Sequence, residues 1–91
     1  MRVTRSSKFK KDYKLACRQK KDTNLLKDIV EKLSKKEKIP ANFKDHKLSG
    51  DLQEYRELAL NPDWLLIYQI DEKKRELKLA RLGSHSALYK K

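Results

Sequence analysis

The sequence has little cysteine, glycine and proline, and it has no long apolar run. Its single cysteine, Cys17, excludes an intramolecular disulfide and a four-cysteine zinc site, and it fits a reducing cytosol. The longest apolar run, residues 64–68, is far too short to cross a membrane, and the N-terminus lacks a signal-peptide core. We therefore expect a cytoplasmic protein with no membrane partner.

Positive charge is what the chain has in excess. It carries 24 Lys and Arg against 13 Asp and Glu, a formal net charge of +11 in 91 residues. This length suits one domain, residues 1–91, with one modest core. Because the surplus charge attracts anionic partners and speeds their encounter, the composition indicates a protein that works on a polyanion such as RNA.

The hydrophobic pattern changes from helical to strand-like along the chain. A short strand at Val3 and Thr4 precedes two amphipathic helices, for which Ser6 or Ser7 and Asp22 or Thr23 are the predicted caps. Apolar and alternating segments then predict three strands, at 55–60, 64–70 and 77–82. The order β-α-α-β-β-β predicts an α+β fold, a two-helix hairpin packed on one face of a twisted antiparallel sheet.

Two histidines are the candidates for proton transfer. His46 lies in a polar loop, residues 38–50, and His85 follows the last strand. They are either exposed residues without a role or a general acid–base pair, since imidazole titrates near neutral pH. Asp63 is available as a third metal ligand, but the spacing follows no zinc pattern, so we predict no metal. The chain has no P-loop, GxGxxG, HExxH or Ser-His-Asp pattern and predicts no cofactor.

Arg81, Trp64 and Tyr89 each have two interpretations. Arg81, at a strand end, can clamp a phosphate or form an ordinary salt bridge. Trp64 can be a stacking platform for a base or an anchor of the core, and Tyr89 raises the same question. Asp63 can pair with Trp64 in a site or serve only as a turn residue. Cys17 falls on the apolar stripe of the first helix, so we expect it in the core.

Four motifs, spread over about half the chain, resemble the YafQ branch of the RelE-type bacterial toxins. They occur in the order and at the spacing of the family patterns K-D-H-x-L-x-G, Y-R-[DE], P-D-W-x-L-I-Y and R-x-G-[ST]-H-x-x-L-[FY]. In this chain the motifs are KDHKLSG at 44–50, YRE at 55–57, PDWLLIY at 62–68 and RLGSHSALY at 81–89.

The resemblance implies an endoribonuclease that cuts messenger RNA in the ribosomal A site and so inhibits translation. In that family a ribose 2′-hydroxyl attacks the adjacent phosphodiester without metal or cofactor. His46 and His85 match acid–base positions, Asp63 matches an assisting carboxylate, and Arg81 would stabilise the charge of the transition state. The implied partners are the ribosome, messenger RNA and an acidic antitoxin of the DinJ/RelB type. The residues expected to contact RNA are Lys44, Lys47, Trp64 and Tyr89.

Ala59 departs from the family pattern, which usually has histidine there. If the turn at 61–63 has three residues, Ala59 lies opposite Leu65 and on the sheet face of Arg81. A histidine at 59 would then point into the site, so the chain is expected to be weakened or inactive as a nuclease. Two explanations stay open: natural drift, or deliberate replacement to silence a toxic protein.

Two other functions remain open from the sequence. The superfamily includes ParE-like toxins, which inhibit DNA gyrase by protein binding and lack the nuclease residues. The second alternative is a plain RNA-binding module whose histidines only contact phosphates. His46, Arg81 and His85 together favour the nuclease over the gyrase inhibitor.

Overall fold

A computed structural model describes residues 1–89. Residues 1–89 form three helices and five strands, which include every predicted element in the expected order together with one additional short strand and one additional short helix. The elements are β1 (Arg2–Arg5), α1 (Ser7–Arg18), α2 (Thr23–Ser34), β2 (His46–Lys47), β3 (Arg56–Asn61), β4 (Trp64–Asp71), β5 (Glu76–Gly83) and α3 (His85–Leu88).

The five strands form one sheet in the order β1-β5-β4-β3-β2. The pairs β2–β3, β3–β4 and β4–β5 are antiparallel as predicted, but β1 runs parallel to β5, so the sheet is mixed. The β3–β4 and β4–β5 pairs are joined by short turns, which require antiparallel pairing. No such turn joins β1 to β5, because α1 and α2 follow β1 in the chain. The direction of β1 is therefore set by the tertiary packing.

Capping confirms the predicted helix starts. Ser6 Oγ accepts a hydrogen bond from Phe9 N–H at 2.9 Å, and Asp22 Oδ1 accepts one from Leu25 N–H at 3.1 Å. The prediction for Cys17 is wrong, since this residue is exposed. It lies at the edge of the α1 stripe, about 80° around the helix from Phe9, where no other element covers it. Neither helix, nor any other within residues 1–89, is long and apolar enough to cross a membrane.

The core lies between the sheet and the α1–α2 hairpin. Strand β4 is its centre, because its residues from Trp64 to Tyr68 are buried on both faces of the sheet. Side chains of alternate β4 residues pack with the helices, and the intervening Leu65 and Ile67 are covered on the opposite face. The sheet-side members of the helix-packed core are Leu58, Leu60, Trp64, Leu66, Tyr68, Leu77, Leu79 and Leu82.

Leu66→Ala tests this arrangement, because Leu66 is fully buried in the central strand. We expect the free energy of unfolding to fall by about 3 kcal/mol, through lost burial and the cavity left behind. Leu15→Ala is the matched control, since Leu15 is 45% exposed on α1, and it should change stability by less than about 0.5 kcal/mol. Urea denaturation of both variants measures the difference, and equal losses would contradict the assignment of β4 as the core strand.

Candidate active site

A cavity of about 610 Å³ opens on the sheet face opposite the two long helices. It exists because β2 pairs with β3, which sets His46 opposite Glu57, while α3 follows β5 and brings His85 over the same face. The predicted long loop contributes a 3₁₀ turn, Ala41–Phe43, and the edge strand β2. The side chains in the wall come from Asn42, Phe43, Lys44, His46, Glu57, Ala59, Leu60, Asn61, Pro62, Leu65 and His85.

His85 is held at the cavity by Asp63. Asp63 Oδ1 accepts a hydrogen bond from the His85 backbone N–H at 3.0 Å and lies 2.9 Å from the ring Nδ1. A carboxylate only accepts, so Nδ1 carries a proton and Nε2 is free to face a substrate. The backbone and ring hydrogen bonds from His85 lower the pKa of Asp63 below its usual value. The carboxylate therefore stays ionised through neutral pH and keeps accepting both hydrogen bonds from His85.

His46 is fixed by the backbone of its own loop. Its Nδ1 donates to the carbonyl oxygen of Lys44 at 2.7 Å, and its Nε2 lies 3.8 Å from Glu57 Oε1. Lys44 has a left-handed backbone conformation, with φ of 52°, which turns the chain back toward His46. His46 thus presents Nε2 beside the Glu57 carboxylate, whereas His85 contacts its carboxylate through Nδ1.

Asp45 anchors the segment that carries His46. Its Oδ1 accepts hydrogen bonds from the Tyr68 hydroxyl at 2.6 Å and from Arg56 Nε at 3.3 Å. Tyr68 is 1% exposed in the core strand, and burial together with the bond to Asp45 raises the pKa of its phenol. The loop end is therefore tied to the rigid centre of the sheet, which holds His46 in place.

Glu57 is the site residue that the sequence analysis missed. Its side chain is 10% exposed, and its Oε2 accepts a hydrogen bond from the Tyr89 hydroxyl. Burial and this bond raise the pKa of the Tyr89 phenol, so the phenol remains a donor. The alternation of β3 was the available signal, because it puts Glu57 on the same sheet face as Ala59.

Ala59 lies where the sequence placed it. It is paired with Leu65 and lines the cavity. The register arises differently from the expectation, because Asn61 pairs with Trp64 around a two-residue turn and a register shift lies between Ala59 and Asn61. A β-bulge, and not the predicted three-residue turn, therefore places Ala59 opposite Leu65.

Arg81 is not brought into this cavity. Its guanidinium is bound to Asp12 of α1, with Nε 2.8 Å from Oδ2, and this hydrogen bond raises the pKa of Arg81. Arg81 lies on the same sheet face as Ala59, as predicted, because it is paired with Ile67 and precedes Gly83, which is paired with Leu65. It lines a neighbouring cavity of about 380 Å³.

The residues expected to contact RNA fall into two groups. Lys44 lines the cavity, Lys47 is exposed on β2, and Tyr89 is 37% exposed beside Glu57. Trp64, in contrast, is 2% exposed and belongs to the helix-packed core. Its placement supports the core-anchor interpretation over base stacking, because its ring is covered on the face opposite the site.

No group of three or more His, Cys, Asp and Glu side chains within residues 1–89 is arranged to hold a metal ion. The side chains around the cavity instead form two imidazole–carboxylate pairs, His85 with Asp63 and His46 with Glu57. Such pairs can accept and donate protons at two points of one bound substrate.

Comparisons with known proteins place the chain among bacterial toxins. The sequence model of the family described as the bacterial toxin of type II toxin–antitoxin system, YafQ, matches residues 1–90. The mRNA interferase toxin YafQ of Escherichia coli K12 is 40% identical over 85 residues, which are 92% of this chain and 90% of that protein.

Solved structures agree over nearly the whole chain. A metal-bound toxin from Helicobacter pylori is 41% identical with a TM-score of 0.92, covering 97% of this chain and 98% of that one. The toxin in an E. coli DinJ–YafQ complex is 37% identical with a TM-score of 0.88, covering 98% and 99%.

The Asp63–His85 contact predicts the tautomer of His85. In a free histidine side chain the Nε2–H tautomer is favoured, so replacing Asp63 by Ala should move neutral His85 away from the Nδ1–H form. Long-range ¹H–¹⁵N spectra at alkaline pH report the tautomer directly. His46 is the internal control, because its Nδ1–H bond to Lys44 is unaffected by the substitution. A His85 tautomer that is unchanged in Asp63→Ala would contradict the orienting role.

Proposed function

The chain belongs to the YafQ family of bacterial toxins of type II toxin–antitoxin systems, and we propose that it is an mRNA interferase that cuts messenger RNA on the ribosome. The observation that carries the proposal is the pair of oriented histidines, His46 and His85, each with a carboxylate partner at one cavity. The E. coli relatives are named mRNA interferases, and that activity is an endoribonuclease reaction.

The chemistry we propose is attack of a ribose 2′-hydroxyl on the adjacent phosphodiester. The bond from the 2′-oxygen to phosphorus forms and the bond to the 5′-oxygen breaks, leaving a 2′,3′-cyclic phosphate and a 5′-hydroxyl. Nε2 of His46, whose ring is held through Nδ1 by the Lys44 carbonyl and which lies beside Glu57, takes the proton of the attacking hydroxyl. His85, whose ring is oriented by Asp63, gives a proton from Nε2 to the leaving 5′-oxygen. The reaction as written needs no redox partner or cofactor.

The charge of the chain supports binding to ribosomal RNA. Most basic side chains lie outside the cavity, and those of α1 and the turn after it are largely exposed. Contacts of such side chains with phosphates are not sequence-specific and weaken as salt rises. The residues concerned are Lys8, Lys10, Lys11, Lys14, Arg18 and Lys20.

A protein partner is also part of the proposal. The E. coli YafQ toxin has been crystallised in complex with DinJ. We expect a DinJ-like antitoxin for this chain as well, with an acidic surface that complements the net charge of +11. Its binding would neutralise the basic face that the ribosome needs.

His85→Ala separates the nuclease from an RNA-binding module. Because it removes the proton donor, cleavage on translating ribosomes should fall by roughly 10²- to 10⁴-fold while ribosome association stays within about twofold. Primer extension on a translated message and co-sedimentation with ribosomes measure the two quantities. Ser86→Ala, on the same short helix but outside the cavity wall, is the control and should retain cleavage.

Two results would count against this assignment. Loss of association in proportion to cleavage would favour simple RNA binding by His85. Growth arrest that persists in His85→Ala, together with inhibition of gyrase supercoiling, would favour a toxin that acts by protein binding.

Ala59→His tests the effect of the missing imidazole. The side chain at 59 faces the cavity beside Glu57, so a histidine there adds a titratable group, and we expect cleavage to rise by about tenfold or more. Ala59→Gln is the matched control, since it fills similar space without a titratable group and should not raise the rate. Primer extension with the parent chain, Ala59→His and Ala59→Gln measures the three cleavage rates. An unchanged or lower rate in Ala59→His would reject the expectation.

A further inference from the structure

Asp12 on α1 binds Arg81 along one edge of its guanidinium. Arg81 Nε donates to Asp12 Oδ2 at 2.8 Å, and Nη2 donates to Oδ1 at 3.3 Å. The backbone N–H of Leu82 donates to the same Oδ2 at 2.9 Å. The Asp12 side chain, 16% exposed, therefore accepts three hydrogen bonds, two of which orient a guanidinium in its own plane.

The topology of the sheet explains why α1 provides this carboxylate. Strand β1 pairs with β5 only as far as Leu79, which leaves the next part of the β5 edge for α1 to cover. Ser6 Oγ donates to the Ala80 carbonyl at 2.7 Å, and Asp12 accepts from Leu82 N–H. A register shift in the β4–β5 pair lies beside Ala80, and such bulges redirect the neighbouring side chain.

Within residues 1–89, no hydrogen bond occupies the opposite edge of the guanidinium, which is available to another anion. A guanidinium has five N–H donors, and the two taken by Asp12 leave three. Arg81 lines the cavity of about 380 Å³ that also includes Ile67 and Tyr89, whereas Asp12 lines a different one, near the start of α3. Arg81 is paired with Ile67, which is paired with Glu57. The guanidinium therefore borders the proposed active site on the same sheet face.

We propose that Asp12 is a positioning residue. Its carboxylate binds the Nε–Nη2 edge of the Arg81 guanidinium, so that the Nη1–Nη2 edge of the same guanidinium binds a phosphate of the bound RNA. The inference rests on the proposed function. Without Asp12, the flexible arginine would have Glu57 as a competing carboxylate on the same face, two strands away. Asp12 prevents Arg81 from binding to Glu57, and it orders the Arg81 side chain before the RNA binds.

Asp12→Asn tests the proposal with the least disturbance of the fold. The amide oxygen still accepts from Leu82 N–H, but the charge that aligns Arg81 is lost. We expect the cleavage rate at saturating ribosomes to fall on the order of tenfold with little change in the half-saturating concentration. Asp28→Asn, at an exposed position of α2, makes the same change of charge and should leave both quantities unaltered. Equal rates for the two variants would overturn the proposal.

A double-variant cycle distinguishes positioning from a structural role. In an Arg81→Ala background, Asp12→Asn should lower the rate by less than about twofold, because nothing remains to be positioned. A full tenfold loss in that background would show that Asp12 acts through the fold.

A measurement that needs no activity separates this inference from the proposed reaction. The Nε–H signal of Arg81 should exchange slowly in the parent chain and shift on adding millimolar inorganic phosphate. Both features should be lost in Asp12→Asn and kept in Asp28→Asn. If neither the parent nor Ala59→His cuts message, the proposed reaction fails, and the phosphate response alone decides the role of Asp12. A response that is unchanged in Asp12→Asn, or absent from the parent, would overturn the inference.

Discussion

Burial of β4 on both of its faces is the constraint on which the structure depends. The run from Trp64 to Tyr68 has no residue left for solvent, so both sides of the sheet must be covered. On one side the α1–α2 hairpin supplies the core. On the other, α3 and the loop before β2 cover the sheet only in part, and the uncovered remainder is the cavity. The site is therefore the part of the second face that the chain, at 91 residues, leaves open.

The electrostatics of that face follow one pattern, a cation or imidazole oriented by a carboxylate. Asp63 holds His85, Glu57 faces His46, and Asp12 holds Arg81. In a chain with a large excess of positive charge, these carboxylates orient individual side chains. Side chains that are already ordered lose less entropy when a substrate binds. The surplus lysines of α1, which have no carboxylate partner within residues 1–89, suit nonspecific attraction to RNA.

Ala59 sits at the centre of this arrangement without contributing to it. Its methyl group leaves room in the cavity between β3 and β4 but supplies no hydrogen bond or charge. The exposed lysines of α1 lie outside the cavity that Ala59 lines. The fold tolerates alanine here because the position faces the cavity rather than the helix-packed core.

The sequence by itself determined the features that depend on neighbours in the chain. The caps Ser6 and Asp22 follow from local hydrogen bonds. The β3–β4 pairing of Ala59 with Leu65 follows from the short turn that joins the two strands, although a bulge beside the turn sets the register. The family resemblance could be read in the same way, because its motifs are short and contiguous.

Only the tertiary structure decided the contacts between distant residues. These include the parallel direction of β1, the burial of Trp64, the bond from Tyr89 to Glu57 and the capture of Arg81 by Asp12. The last two join residues 32 and 69 positions apart. Such partners are selected by which faces the packed elements present to each other, and no local period or propensity in the chain encodes that choice.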